Sequence, residues 1–271
     1  MKKLITALLI ISSLIFLAAG CGSSDVSGGG KDAKGKTLRV VTDAAYSPFE
    51  YLDKDKIVGF DVDLIQAVAK EAGYKVKVEN VGWDPLFVEI DSKRADIGLS
   101  AITINSDREQ TYDFSNPYFL STNKILVPEK STIKNALDLK GKKVAVQSGT
   151  TGAEATEKLL GKNNKDIKKF ENNNLAIMEL NSGGAAAVVA DNAVIEAYAK
   201  NNPGKNLAVI EDSSNFSKEF YGMMFPKGSK LKPDFDKALN KIFENGKYKE
   251  IYKKWLGSEP DMETLKAQQK K

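Results

Sequence analysis

The sequence has no histidine and only one cysteine, Cys21, among its 271 residues. Histidine is the commonest general base in enzymes and the commonest transition-metal ligand. If Cys21 carries a lipid, no thiol is left for a disulfide, a metal site or a nucleophile. These absences favour a protein that binds a partner over one that transforms a substrate. We therefore expect no catalytic residue, no metal site and no cofactor.

The chain also lacks a block of basic residues. Its 40 lysines and arginines are spread evenly among 36 acidic residues, whereas nucleic-acid-binding proteins concentrate positive charge on one surface. We therefore expect no nucleic-acid partner. After Cys21, no apolar run approaches the roughly 18 residues that a membrane-spanning helix needs. The apolar content of 42% is that of an ordinary globular protein.

The first 20 residues have the form of an export signal. Lys2 and Lys3 precede a mostly apolar run of 16 residues that begins at Leu4 and ends in small residues. At ~1.5 Å per residue, this run would span about 24 Å of the ~30 Å hydrocarbon core. The closing sequence LAAGC resembles the lipobox of bacterial lipoproteins, which implies cleavage before Cys21 and a diacylglyceryl group on its thiol. An ordinary cleaved signal with an incidental cysteine and a short membrane anchor are the alternatives.

Residues 21–36 are rich in glycine, serine and lysine and show no apolar periodicity. We interpret them as a flexible tether with an r.m.s. span of roughly 20 Å, enough to hold a domain away from a membrane surface. Cleavage before Cys21 would leave 251 residues (271 − 20), which suffices for a sizeable core.

From residue 37 onward, strand-like and helix-like segments alternate. Strands are predicted at 37–43, 76–78, 95–99, 125–127, 143–147, 167–170, 185–190, 207–210 and 221–225. Helices are predicted at 61–72, 85–90, 153–160, from 174, 191–200, 232–243 and 248–255, with a frayed helical end at 264–271. This order predicts two α/β lobes with a ligand cleft between them. The predicted lobes are 37–126 with 220–271, and 127–219, with hinges near 126–130 and 218–222.

Four motifs follow one another along the chain: YSPFEY at 46–51, GFDVDL at 59–64, ITI at 102–104 followed by Arg108, and FSNPY at 114–118. Each is weak alone, but the ordered set resembles the polar amino-acid-binding solute receptors of ABC importers, bacterial extracellular solute-binding protein family 3, over about residues 37–256. The segments GWDPLF and IMEL are most similar to the arginine/lysine/histidine-binding lipoproteins of Gram-positive bacteria. The resemblance implies a two-lobed α/β fold of the periplasmic-binding-protein type II, joined by a two-segment hinge.

A receptor for a free amino acid needs a cation for the ligand carboxylate, and Arg108 can supply a bidentate fork. Taken alone, an arginine between Asp107 and Glu109 would more often form a surface ion pair. The family resemblance instead implies that Arg108 binds the α-carboxylate. The groups implied to assist it are Thr103, Ala101 and Ser100.

The second half of the chain offers SGTTG at 148–152, between a strand and a helix. Such a turn directs free backbone N–H groups at an anion, although a plain N-cap is the simpler interpretation. The resemblance implies that Thr150 and the Thr151 amide meet the same carboxylate. It also implies that Asp191 binds the α-ammonium group, while a helix N-cap is its simpler role; both roles are compatible.

The pocket for the ligand side chain is implied by resemblance to include Asp43, Tyr46 and Trp83, with Gln147 within reach. Two aromatic faces beside a carboxylate suit a cationic side chain, with about 0.5–2 kcal/mol per aromatic contact. Arginine, lysine or histidine is therefore favoured. An aspartate equivalent to Asp43 also occurs in glutamine receptors of this family, so glutamine is the alternative ligand.

The resemblance implies that two lobes close on the amino acid and that the closed form docks on a membrane permease. We expect a monomer, anchored through Cys21 to the outer face of the cell membrane, in a Gram-positive cell or alternatively a Gram-negative periplasm. Two rival functions stay open: a sensor lipoprotein, and a dehydratase-like enzyme on the same fold.

Overall fold

The computed structural model describes residues 35–269 of the chain. The predicted export signal, Cys21 and most of the predicted tether lie outside these residues, as do the last two lysines. Across the described residues, no helix combines the length and apolar character that crossing a membrane requires.

Strands and helices alternate along most of the described chain. The strands are β1 (Thr37–Thr42), β2 (Ala45–Tyr46), β3 (Glu50–Asp53), β4 (Lys56–Val58), β5 (Lys75–Asn80), β6 (Ile97–Gly98), β7 (Tyr112–Phe114), β8 (Phe119–Pro128), β9 (Val144–Gln147), β10 (Ile167–Phe170), β11 (Ala187–Asp191), β12 (Leu207–Ile210), β13 (Lys218–Tyr221) and β14 (Met224–Pro226). The helices are α1 (Phe60–Ala72), α2 (Trp83–Asp91), α3 (Ser106–Thr111), α4 (Thr151–Leu160), α5 (Asn173–Asn181), α6 (Asn192–Asn201), α7 (Lys232–Glu244), α8 (Lys247–Leu256) and α9 (Met262–Gln268). Short 3-10 turns cover Ala136–Leu139 and Pro203–Lys205.

The first lobe is built on a five-stranded sheet with the order β5-β1-β6-β14-β7. β1 runs parallel to β5 and β6, whereas β14 runs antiparallel to β6 and β7. A strand that is covered on both faces reads as an apolar run, and Leu38, Val40 and Val41 of β1 are buried. Helix α1 packs against α7 and α8 and ends at Gly73, whose φ of 85° is left-handed.

The second lobe is built on a sheet with the order β10-β9-β11-β8-β12. β9, β10 and β11 are parallel, whereas β8 runs antiparallel to β11 and β12. Successive side chains of a strand point to opposite faces. Ile125 and Val127 of β8 accordingly belong to the core on one face, and Leu126 belongs to the core on the other. Two α/β lobes confirm the fold class predicted from the sequence.

Two neighbouring antiparallel strands carry the chain between the lobes. The first half of β8, residues 119–122, pairs with β13, and its second half pairs with β11 and β12 of the second lobe. Ile125 and Leu126, which were assigned to the first lobe, therefore pair in the second sheet. This pairing puts the crossing a few residues before the predicted boundary; the lobe boundaries and hinge positions themselves stay predictions.

An aromatic cluster joins the first two motifs to the crossing strands. The Phe49 ring lies 5.8 Å from the Phe60 ring, 4.9 Å from Phe119 and 5.4 Å from Tyr221, measured between centroids. All three contacts are edge-to-face, a geometry that adds about 0.5–1.5 kcal/mol to the burial of each pair. These motif residues are therefore core residues that support the cleft.

Several elements differ from the sequence-based expectations. The extended run at 221–225 is divided between β13 and β14, which belong to different sheets. The C-terminal segment is a capped helix rather than a frayed end, because Asp261 accepts the Thr264 amide and Leu265 is buried in the first-lobe core. The small antiparallel sheet β2-β3-β4 was not predicted.

Candidate functional site

The eleven residues predicted to bind a ligand line one cavity between the lobes. The cavity is narrow in this conformation, because the centre of a water-sized molecule can occupy only about 20 Å³ of it. The lining residues are Asp43, Tyr46, Trp83, Ser100, Ala101, Thr103, Arg108, Gln147, Thr150, Thr151 and Asp191. Several follow or end the strands β1, β6, β9 and β11, so the carboxyl ends of strands from both sheets meet at the cavity. The role of each residue in binding stays a prediction.

Arg108 is directed into the cleft and forms no ion pair with any acidic side chain of residues 35–269. Asn105 caps α3 by accepting the Arg108 amide, which fixes the start of the short helix that carries the side chain. The guanidinium donates from Nη1 to the Thr103 carbonyl (2.9 Å) and from Nη2 to the Gly149 carbonyl of the second lobe (3.3 Å). Burial lowers the pKa of Arg108, and the nearby carboxylate of Glu154 opposes that shift most strongly.

Two aromatic rings of α2 pack on the same guanidinium. The Cζ atom of Arg108 lies 5.5 Å from the centroid of Trp83 and 5.4 Å from that of Phe87, within the range of a cation–π contact. Phe87 was not among the predicted site residues. Its position four residues after Trp83 puts both rings on one helix face, and that spacing is the signal that could have identified it.

The start of α4 forms the second-lobe wall of the cavity. The Thr150 hydroxyl accepts the Ala153 amide (3.2 Å) and donates to the Gln147 carbonyl (2.8 Å). The Thr150 side chain is therefore the N-cap of α4, as the simpler interpretation predicted, and its only proton is donated to the Gln147 carbonyl. A Cβ atom on Gly152 would lie 2.8 Å from Asn123 Oδ1 and 3.0 Å from the carbonyl oxygen of Val189. Glycine thus permits the close approach of α4 to the sheet.

Asp191 closes β11 and is 7% exposed. It occupies the N-cap position of α6, yet its side chain makes no capping bond and instead accepts the Tyr46 hydroxyl across the cleft (2.7 Å). Burial raises the pKa of its carboxyl to about 7, and the charge of Glu219 acts in the same direction. Hydrogen bonds from Tyr221 and Tyr46 favour the ionised form and oppose the shift.

Asp43 and Gln147 meet at another part of the cavity. The Gln147 amide donates from Nε2 to Asp43 Oδ2 (3.0 Å) and to the Glu171 carbonyl (3.2 Å). The Asp43 amide donates to Ser100 Oγ (3.1 Å). Burial raises the pKa of Asp43, and the bond from Gln147 acts against that rise. This carboxylate is therefore held at the wall by a neutral donor.

Sequence reasoning missed Glu219, which lies on β13 beside the cavity. Its Oε2 accepts the hydroxyl protons of Thr103 (2.7 Å) and Thr151 (2.8 Å), and its Oε1 accepts from Asn123 Nδ2 (2.7 Å). The Glu219 carboxylate thus joins Thr103, in a loop of the first lobe, to Thr151 at the start of α4 in the second lobe. In this conformation the hydroxyls of both threonines offer lone pairs, and not protons, to the cavity.

Within residues 35–269, no group of three or more cysteine or acidic side chains is arranged to hold a metal ion. The charged groups of the cavity are instead one guanidinium and two buried carboxyls, those of Asp43 and Asp191.

Comparison with known proteins agrees with this architecture. Residues 38–258 match the family described as bacterial extracellular solute-binding proteins, family 3. A probable histidine-binding protein of Neisseria gonorrhoeae is 41% identical over 268 residues, covering 96% of this chain and 97% of that protein. The arginine-binding extracellular protein ArtP of Bacillus subtilis is 34% identical over 96% of this chain and 100% of its own length.

A solved structure shares the fold. The arginine-, lysine-, histidine-binding protein ArtJ of Geobacillus stearothermophilus superposes with a TM-score of 0.84 at 57% identity. The match covers 85% of this chain and all of that chain.

Proposed function

Because the chain belongs to the bacterial extracellular solute-binding proteins, family 3, we propose that it is the amino-acid receptor of an ABC importer. Its proposed ligand is arginine, lysine or histidine. The observation that carries the proposal is the cavity between the lobes, which is lined by a guanidinium and two separately held carboxyls. A cationic amino acid carries the complementary set of one negative and two positive groups.

The ligand carboxylate binds Arg108 in this proposal. Its guanidinium is already oriented by the Thr103 carbonyl and the rings of Trp83 and Phe87, so little conformational freedom is lost on binding. The Thr151 amide at the start of α4 supplies a further donor. The Thr103 hydroxyl can donate to the ligand only if it leaves Glu219, because a hydroxyl has a single proton.

The α-ammonium group binds Asp191, with Tyr46 holding the carboxylate in place from the first lobe. The ligand side chain extends toward Asp43, past Trp83. There its cation takes the position of the Gln147 amide, which forms a neutral hydrogen bond to Asp43. A charge-assisted bond is roughly twice as strong as a neutral one, so arginine, lysine or histidine gains over an uncharged side chain.

Transport requires that the ligand change the relation between the lobes. Asp43, Tyr46, Trp83, Thr103 and Arg108 precede the crossing strands, whereas Gln147, Thr150, Thr151 and Asp191 come from the second lobe. A ligand that touches both sets stabilises the closed form selectively. We propose that the closed monomer docks on a membrane permease and that the protein acts as a receptor and not as an enzyme. We also propose that a lipid on Cys21 anchors the protein to the outer face of a Gram-positive cell membrane.

A thermal-shift screen against the twenty amino acids tests the ligand. The protein is first unfolded, dialysed and refolded to remove bound amino acid. A ligand at 100 times its Kd adds about 2.7 kcal/mol of stability, a shift of several degrees. Arginine, lysine or histidine should stabilise the parent protein but act weakly on Asp43→Asn. Stabilisation by glutamine alone would contradict the cationic pocket, and no response to any amino acid would contradict the receptor function.

A further inference from the structure

Two buried carboxyls that do not line the cavity meet just behind its wall. Glu50 at the start of β3 is 0% exposed and Asp61 in the first turn of α1 is 1% exposed. Acidic side chains are almost never fully buried unless they are paired. No lysine or arginine of residues 35–269 forms an ion pair with either carboxyl, and none is among the strongest influences on their ionisation.

Both carboxyls hold the turn between Ser100 and Ala101. Glu50 Oε1 accepts the Ser100 hydroxyl (2.9 Å), and Asp61 Oδ2 accepts the Ala101 amide (2.9 Å) and the Tyr118 hydroxyl (2.8 Å). Ala101 has a φ of +47°, a left-handed conformation that residues with a Cβ rarely adopt without support. Since Ser100 and Ala101 line the cavity, the carboxyls determine the shape of its wall.

Each carboxyl has one oxygen that accepts no hydrogen bond from the described residues, Oε2 of Glu50 and Oδ1 of Asp61. The two side chains lie within hydrogen-bonding reach of each other. Buried polar atoms are almost always paired, and two buried carboxylates in contact cannot both carry a charge at low cost. One proton held between the two carboxyls resolves both difficulties.

The groups that face the pair strengthen the case for a retained proton. They are Asp43, Tyr46, Tyr118 and Tyr248, each of which is neutral or negative. None supplies a positive charge that would stabilise a second carboxylate. Burial and the neighbouring charge of Asp61 raise the pKa of Glu50.

We propose that Glu50 and Asp61 share one proton and together act as positioning residues for the Ser100–Ala101 turn of the amino-acid site. The proposal rests on the proposed function for the identity of the ligand. Loss of the shared proton places two like charges in contact behind the turn, so the wall loses the geometry that binds the ligand. Binding is then expected to weaken by up to about tenfold per pH unit above the titration of the pair.

The variant Glu50→Gln provides the test, because its amide carbonyl can accept from Ser100 while its N–H₂ replaces the shared proton toward Asp61. Ligand affinity is measured from pH 6 to 10 on the full chain for arginine, and each value is divided by that of Glu50→Gln. The titration of arginine itself cancels in this ratio. We expect the variant to bind within about threefold of the parent at pH 6 and the ratio to fall with rising pH.

Infrared spectroscopy supplies a readout that needs no ligand. The protonated Asp191 contributes a band to both proteins, so the difference spectrum of the parent minus Glu50→Gln should show the carbonyl band of one further protonated buried carboxyl. A pH-independent affinity ratio overturns the positioning role, and absence of the band from the difference spectrum overturns the shared proton. Failure of the parent to bind any amino acid overturns the proposed function instead, while the band still decides whether the proton is shared. Circular dichroism confirms that the variant is folded.

Discussion

Binding of an amino acid near pH 6 should expel a proton from Asp191. This carboxyl is buried, and its pKa is raised to about 7, so it is mostly protonated at pH 6. A ligand ammonium group beside it favours the ionised form and returns its pKa toward the ordinary value. With a pKa of about 7, roughly 0.9 of a proton should be released per ligand at pH 6 and roughly 0.1 at pH 8.

The titration of Asp191 makes folding stability and ligand affinity change in opposite directions with pH. A carboxyl whose pKa is higher in the folded protein holds its proton more tightly there than in the unfolded chain. In the absence of amino acid, its stabilising contribution is complete below about pH 4 and is lost as the pH rises through about 7. Ligand affinity changes in the opposite direction, because the proton competes with the ammonium group. Affinity should rise by up to about tenfold per pH unit from about pH 5 to 7.

Isothermal titration calorimetry in two buffers of unequal ionisation enthalpy measures the released proton directly. Tyr46→Phe is the matched variant, because it removes the hydroxyl that donates to Asp191 and otherwise preserves the ring. Without that donor the pKa of Asp191 should rise further, so more proton should be released at pH 8 than in the parent. Equal heats in both buffers at pH 6, or an unchanged release in Tyr46→Phe, would refute the reasoning.

Three substitutions test other parts of the site. Arg108→Lys keeps the charge but loses the planar fork and its ring contacts, so calorimetry should show affinity reduced at least about tenfold; unchanged affinity would contradict the carboxylate role. Glu219→Gln replaces one of the two acceptor oxygens with an N–H₂ group that faces hydroxyl or amide protons, so the hydrogen bonds between the lobes should weaken. Small-angle scattering without amino acid should then show a larger radius of gyration for the variant than for the parent. An identical radius would contradict the role of Glu219 in joining the lobes. Gly152→Ala places a Cβ 2.8 Å from Asn123 Oδ1 and should lower the free energy of unfolding by about 1–3 kcal/mol, measured by denaturant unfolding. Gly204→Ala is the control, because the space around its Cβ position is open. Equal stability of the two variants would contradict the close packing of α4 at Gly152.

The alternation of short apolar strands and amphipathic helices was enough to predict two α/β lobes. It could not predict where the chain crosses between them, because β8 is one unbroken strand although its two halves pair with different partners. Pairing partners of a strand are decided by the whole sheet and not by its own residues.

The residues that line the cavity could be predicted where ordered motifs contained them, and their roles in binding stay predictions. Local composition alone would have left Arg108 on the surface, and only its place after Thr103 in the family motif indicated the cleft. Glu219 had no such signal. Its partners Thr103, Asn123 and Thr151 are 116, 96 and 68 residues away along the chain, so only the fold reveals that one carboxylate joins them.

In the proposed binding mode, the ligand replaces existing hydrogen bonds of the cavity more than it adds new ones. Gln147 donates to Asp43, and Tyr46 donates to Asp191, so both buried carboxyls already accept neutral protons across the cleft. An ammonium or guanidinium group that replaces or joins these donors makes a stronger, charge-assisted bond. A ligand without a cationic side chain would leave the Gln147 bond intact and gain nothing at Asp43. The proposed preference for a cationic amino acid should therefore depend on that one exchange, while the proposed partners of Arg108 and Asp191 are groups that every amino acid carries.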